Sequence, residues 1–162
     1  MAKITYERAH EILTYCPDTG DIRWKIDRGK KCKAGQVAGD YYGNGYRRVS
    51  ADYHDHLGHR LAWMMTHGEW PDRQIDHING DRADNRLCNL RLATSAENHQ
   101  NAGMRSDNKS GYRGVSWSKN WGKWRADIHI DYKQKFLGWF EDKEAAAAAY
   151  AAAKAQLHTF QP

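Results

Sequence analysis

Between Ile75 and Asn98 the chain reads IDHINGDRADNRLCNLRLATSAEN, and no other stretch restricts its fold and chemistry as tightly. Gln74 to Ile78 suits a short strand, Asn79-Gly80 a tight turn, and Leu90-Arg91-Leu92 a second strand. Thr94-Ser95-Ala96-Glu97 has the form of a capping box, in which the Thr94 hydroxyl takes a free backbone N–H and Glu97 reaches back to the cap. Strand, loop, strand and helix are thus expected in direct succession. Asp76 and His77 leave the first strand, and Asn98 falls on the first helical turn, where it is expected to face them. An acid, an imidazole and a carboxamide in this arrangement suffice to hold one divalent metal and activate one water, the minimum that phosphodiester hydrolysis requires.

The roles follow from the side chains. A histidine titrates at about 6.5, so His77 can take a proton from water at physiological pH. Asp76 offers an anionic oxygen and Asn98 a neutral one, both suited to hard Mg²⁺, with Mn²⁺ as a substitute. Few protein ligands are needed, because Mg²⁺ keeps waters and substrate oxygens in its shell. Asn89 lies between the strands, where its amide or backbone carbonyl could orient the imidazole. His99 is a rival ligand, but it points about 100° around the helix from Asn98, so only one of the two can face the site. Asn98 is the preferred ligand, with Asn85 and Asn101 in supporting positions.

The set Asp76, His77, Asn89 and Asn98 resembles the catalytic core of HNH endonucleases, particularly the phage and group I intron homing type. That family pairs Asp-His on the first strand with a middle Asn and a final His or Asn on the helix. The resemblance implies cleavage of double-stranded DNA, with His77 as general base and Asp76 and Asn98 at the metal. His59-Arg60-Leu61-Ala62-Trp63 also resembles a stretch that precedes this core in phage enzymes, which favours packing or phosphate contact for His59. A metal cluster of His54, His56 and His59 is disfavoured, because no Cys or second His group has the spacing to complete it.

Residues 1–70 read as β-hairpins followed by a helix. Asp18-Thr19-Gly20-Asp21 and Gly43-Asn44-Gly45 are turn signals, and Arg60 to Met65 is a helical run ending near Gly68. The loop Arg28-Gly29-Lys30-Lys31-Cys32-Lys33 makes Lys30 and Lys31 candidates for phosphate contact. The chain carries a net charge of +5. This basic excess lies in the flanks, whereas residues 71–110 are balanced, as expected if the central carboxylates serve a metal. Three separated cysteines suggest neither a disulfide framework nor a zinc ribbon. With no apolar run long enough for a membrane span, a reducing cytoplasm, that of a bacterial or phage-infected cell, is the expected setting.

After a polar linker at 103–110, three strands are expected at Tyr112 to Trp117, Lys123 to Ile130 and Lys135 to Phe140, followed by an Ala-rich helix from Glu141 to Gln156. Tyr112-Arg113-Gly114-Val115, Trp121 to Ile128, Phe136 to Phe140 and the Ala-Ala-Tyr helix together resemble the DNA-binding domain of plant ethylene-response transcription factors. That resemblance implies a three-stranded antiparallel sheet in the major groove, with Arg113, Trp121, Lys123 and Arg125 as contacts. Ser116 and Ser118 stand where the family carries further Arg. Lys119 replaces part of that charge but cannot copy a bidentate guanine contact. About half of Trp117, Trp121, Trp124 and Trp139 are expected to be core.

The expected architecture is α+β. Its parts are an N-terminal β-hairpin and helix region at 1–70, a ββα-metal core at 71–102, a linker at 103–110, and at 111–160 a three-stranded antiparallel sheet packed on one helix. The expected activity is DNA endonuclease, acting as a monomer or dimer with no obligate protein partner. The competing expectation is a non-catalytic, sequence-specific DNA-binding regulator. A purely structural metal module is weaker, for want of four Cys or His ligands.

Overall fold

The computed structural model describes residues 3–30, 32–104, 107–158 and 160. The chain is α+β, with small sheets that are all antiparallel among the described residues. It divides into two compact units, Met1–Ala93 and Thr94–Pro162.

The first unit opens with a helix that the sequence analysis did not anticipate, α1 (Tyr6–Ile12). The Thr5 side chain accepts the Arg8 N–H as its N-cap, and Ala9, Ile12 and Leu13 recur at helical spacing to bury one face. Strands β1 (Leu13–Tyr15) and β2 (Ile22–Trp24) pair across the expected turn. Gly20 in that turn has φ 77°, and a Cβ there would meet the backbone of Asn85 and Arg86 at 2.7 and 2.6 Å. Only glycine allows the hairpin to lie so close to that backbone.

Strands β3 (Asp40–Tyr41), β4 (Arg47–Ala51) and β5 (His54–Leu57) form a sheet in that order. Strand β5 was also unanticipated, because its turn uses Asp52 and Tyr53 at φ 48° and 65° in place of glycine or asparagine. Helix α2 (Gly58–His67) stops at Gly68 in the left-handed conformation, as expected. Strands β6 (Gln74–His77) and β7 (Leu90–Ala93) follow, with Asp76 opposite Arg91 and His77 opposite Leu90. A two-stranded ribbon is marginal by itself. Ile75 and Leu90 anchor this one in the same core as Ile12, Leu13, Ile22, Val49, Leu61 and Met64.

In the second unit, α3 (Ser95–Asn101) carries both hydrogen bonds of the expected capping box. Strands β8 (Val115–Ser118), β9 (Lys123–Ile130) and β10 (Lys133–Phe140) form a sheet in the order β10-β9-β8. Helix α4 (Lys143–Leu157) starts two residues after Glu141, because the Asp142 carboxylate caps it by accepting the Ala145 N–H at 2.9 Å. Ala146 and Tyr150 are its buried residues, and Ala146 packs with Val115 and Ala126 of the sheet. At Gly114 a Cβ would lie 2.3 Å from the Tyr150 ring. No helix among the described residues is long and apolar enough to cross a membrane.

Candidate active site

The end of β6 turns two functional groups into a protected place. Alternation along a strand would send neighbours to opposite faces, yet Ile75, Asp76 and His77 are all buried. The His77 ring stands edge-on to His59 of α2 at 5.1 Å between centroids and 5.9 Å from Tyr46. Its Nε2 lies 3.2 Å from Oδ1 of Asn85. A carbonyl oxygen only accepts, so this bond puts the imidazole proton on Nε2 and the basic lone pair on Nδ1. Burial holds the His77 pKa below its usual value, with the Asn85 bond acting in the opposite direction. The neutral imidazole, the form able to accept a proton, is favoured.

His59 is more strongly affected. Burial, then the nearby His77 and Arg60, push its pKa down to about 3. Its Nδ1 has no hydrogen-bond partner among the described residues. The expectation of packing therefore fits His59. Arg60 donates to the carbonyls of Pro71 and Arg73 at 2.7 and 2.9 Å and so fastens the segment leading into β6.

Asp76 pairs with its cross-strand neighbour Arg91, whose Nε donates to Oδ2 at 2.9 Å. Arg91 thus compensates the charge of a carboxylate that is only 5% exposed. Asn89 lies between the strands, as expected, directly ahead of β7. Its carbonyl accepts from Ile78 at 2.9 Å and so continues the β6–β7 ladder. Its side chain accepts the Asn79 N–H at 3.0 Å and donates to the Asp84 carbonyl at 2.8 Å. Asn89 thus braces the loop, while the orienting bond to the imidazole comes from Asn85. In that loop Asp84 is held down to about 2, chiefly by its hydrogen bond from Arg86.

Asn98 is half-buried on α3. His99 accepts or donates at Nδ1 with the Ser95 carbonyl at 2.8 Å, and its ring meets Tyr132 at 6.0 Å. Asp76 and Asn98 are hard oxygen donors and only two in number. Among the described residues no cluster of three or more His, Cys, Asp or Glu could enclose a metal. In chemical type these oxygens suit Mg²⁺, which keeps water and substrate oxygens in its shell, and not a structural zinc, which takes Cys and His.

The second unit presents an exposed aromatic and basic face on its sheet. Register places Ser116, Arg125 and Trp139 in one cross-strand row, opposite to the face on which Ala126 packs against α4. Trp121, Trp139 and Phe136 are neighbours there, at 5.8 and 5.5 Å between centroids, with Arg125 5.5 Å from Phe136. Trp121 is 67% exposed and Phe136 48%, whereas Trp124 packs on the core with Trp117 edge-on at 5.2 Å. Lys119 is exposed, Lys123 pairs with Glu141 at 2.7 Å and Arg125 with Asp127 at 2.8 Å. Arg113 lies away from this face. It donates to the carbonyls of His99 and Gln100 at 2.7 and 3.1 Å, and to that of Ala102, closing the C-terminal end of α3. In the first unit Lys30 is exposed, while Lys31 lies outside the described residues.

Known proteins resemble parts of this chain. Protein 3.8 of Escherichia phage T7 is 39% identical over 77 residues, which are 47% of this chain and 64% of that protein. The chain thus spans less than two thirds of this relative's length. Among solved structures, that of the HNH homing endonuclease I-HmuI, described for DNA binding and cleavage, aligns with a TM-score of 0.44 at 20% identity, covering 62% of this chain and 56% of that one. Residues 56–100, which include His59, Asp76, His77, Asn85, Asn89 and Asn98, match the family model for HNH endonuclease.

Proposed function

We propose that this protein is a divalent-metal-dependent HNH endonuclease of the homing type that hydrolyses phosphodiester bonds in double-stranded DNA. The observation that carries this reading is the buried His77, its pKa lowered by burial, beside the buried Asp76 paired with Arg91, within a segment matching the HNH endonuclease family model. His77 accepts a proton from the attacking water at Nδ1, and Asn89 holds the loop beside it. Asp76 and Asn98 would hold Mg²⁺, or Mn²⁺ in its place. A bound metal would supply neutralisation of the charge that develops as the phosphodiester is cleaved.

In this reading residues 71–102 cut and the flanks grip. Residues 111–160 act as an ethylene-response-factor-like DNA-binding module, touching the duplex through Trp121, Arg125, Lys123 and Lys119. Lys30 and Lys31 meet backbone phosphate. Arg113 serves by fixing α3. The test is incubation of supercoiled plasmid and genomic DNA with the protein in Mg²⁺, in Mn²⁺ and in EDTA. Open-circular or linear product in the metal lanes alone is expected. Tight binding without cleavage in any lane would overturn the proposal in favour of a DNA-binding regulator.

A further inference from the structure

We propose that Asn85 is a positioning residue for His77, and that the β1–β2 hairpin holds Asn85 through Tyr15 and Gly20. The proposal rests on the reading of His77 as the general base. Four contacts carry it. Asn85 Oδ1 faces Nε2 of His77 at 3.2 Å, so the amide selects the tautomer whose lone pair is on Nδ1. Asn85 itself is 2% exposed, and its backbone carbonyl accepts the Tyr15 hydroxyl at 2.8 Å from 70 positions away. The hairpin turn lies against the same backbone, where the missing Cβ of Gly20 leaves the necessary room. One residue on from Arg86, the Leu87 N–H donates to the Pro17 carbonyl at 3.0 Å.

The side-chain amide is close-fitting as well, since a Cβ on Gly58 would sit 3.1 Å from Nδ2 of Asn85. The hairpin thus holds the Asn85 backbone, while the side-chain amide lies between the start of α2 and the imidazole, with its oxygen on the latter. A buried carboxamide needs partners for stability alone, so geometry by itself does not separate a structural role from a positioning one. The tautomer does. Tyr15, Pro17 and Gly20 all lie outside the 56–100 segment that matches the family model, so the proposal extends the site beyond that segment to the N-terminal hairpin.

The test uses the full chain and the variants Asn85→Ala, Asn85→Asp and Tyr15→Phe. Long-range ¹⁵N–¹H correlation of the His77 ring, without DNA or metal and above the imidazole's titration, reads the tautomer. Cleavage at saturating DNA and DNA affinity are measured separately. Wild type is expected to hold the proton on Nε2. Asn85→Ala should give a mixture of tautomers and a cleavage rate about 10- to 100-fold lower, with KM within about twofold. Asn85→Asp keeps an acceptor oxygen and should restore the Nε2–H tautomer, whereas Tyr15→Phe should give a smaller loss of rate of the same kind.

A folded Asn85→Ala with unchanged tautomer and rate would overturn the proposal, as would an Asn85→Asp variant that loses the tautomer. Should Asn85→Ala not fold, Tyr15→Phe decides, because it removes one hydroxyl only. An unchanged tautomer and rate there would remove the hairpin from the site. Cleavage surviving in His77→Ala would sink the general-base reading instead, while the tautomer measurement would still judge Asn85.

Discussion

His59 and His77 put two imidazoles into one protected pocket, and burial lowers the proton affinity of both. The unfolded chain protonates His59 as pH falls through about 6.5, but the folded chain does so only near 3. Between those values the unfolded state binds more protons, so stability is present above the unfolded pKa and is lost as pH falls. The slope from His59 alone approaches about 1.4 kcal/mol per pH unit. His56 and His77 shift in the same direction through burial. Urea midpoints should therefore fall from about pH 6.5 downward, and His59→Phe should flatten that fall. An unchanged slope in the variant would show that His59 titrates normally. For the same reason the acid limb of cleavage should lie below about pH 6.5, and a limb above it would contradict a buried, neutral His77.

At the scale of elements, α3 has an engineered-looking pair of ends. The capping box closes its start, and the Arg113 guanidinium, on three carbonyls, closes its finish. Thr94→Ala should cost about 1 kcal/mol. Arg113→Ala should cost about 1.5–3 kcal/mol, since its bonds are charge-assisted. Both are read as shifts in chemical unfolding, and a neutral Arg113→Ala would return that residue to the DNA-contact set. What the sequence made legible here was local. The capping box spans four residues, the α2 stop depends on Gly68, and the β3–β4 turn on Gly43-Asn44-Gly45. What escaped was either atypical locally or distant. Strand β5 hides behind a turn without glycine, and α1 carries one capping Thr before a short amphipathic run. Arg60 and Arg113 bond to carbonyls whose positions are set by tertiary folding. The roles of Asn85 and Asn89 diverge because the ladder bond from Ile78 engages Asn89, and only the folded loop shows this.

At the scale of the whole molecule, the proposed function assigns cutting and holding DNA to different residues. The pair Asp76–His77 lies in the first unit and the Trp121–Trp139–Phe136–Arg125 face in the second. Under that proposal the modest net charge of +5, with Lys123 and Arg125 already paired to acids, leaves a large share of the grip to the aromatic surface. Trp121→Ala should weaken duplex binding about tenfold, by analogy with the value of about 1–3 kcal/mol for a stacked base. Unchanged affinity in fluorescence anisotropy would take the sheet out of the interface. The central claim is that His77 makes the nucleophile. It is tested most directly by comparing wild type with His77→Ala on supercoiled DNA in Mg²⁺, with DNA affinity measured in parallel. The account predicts that cleavage is lost while affinity stays within about twofold; a His77→Ala protein that still cuts at the wild-type rate would contradict it.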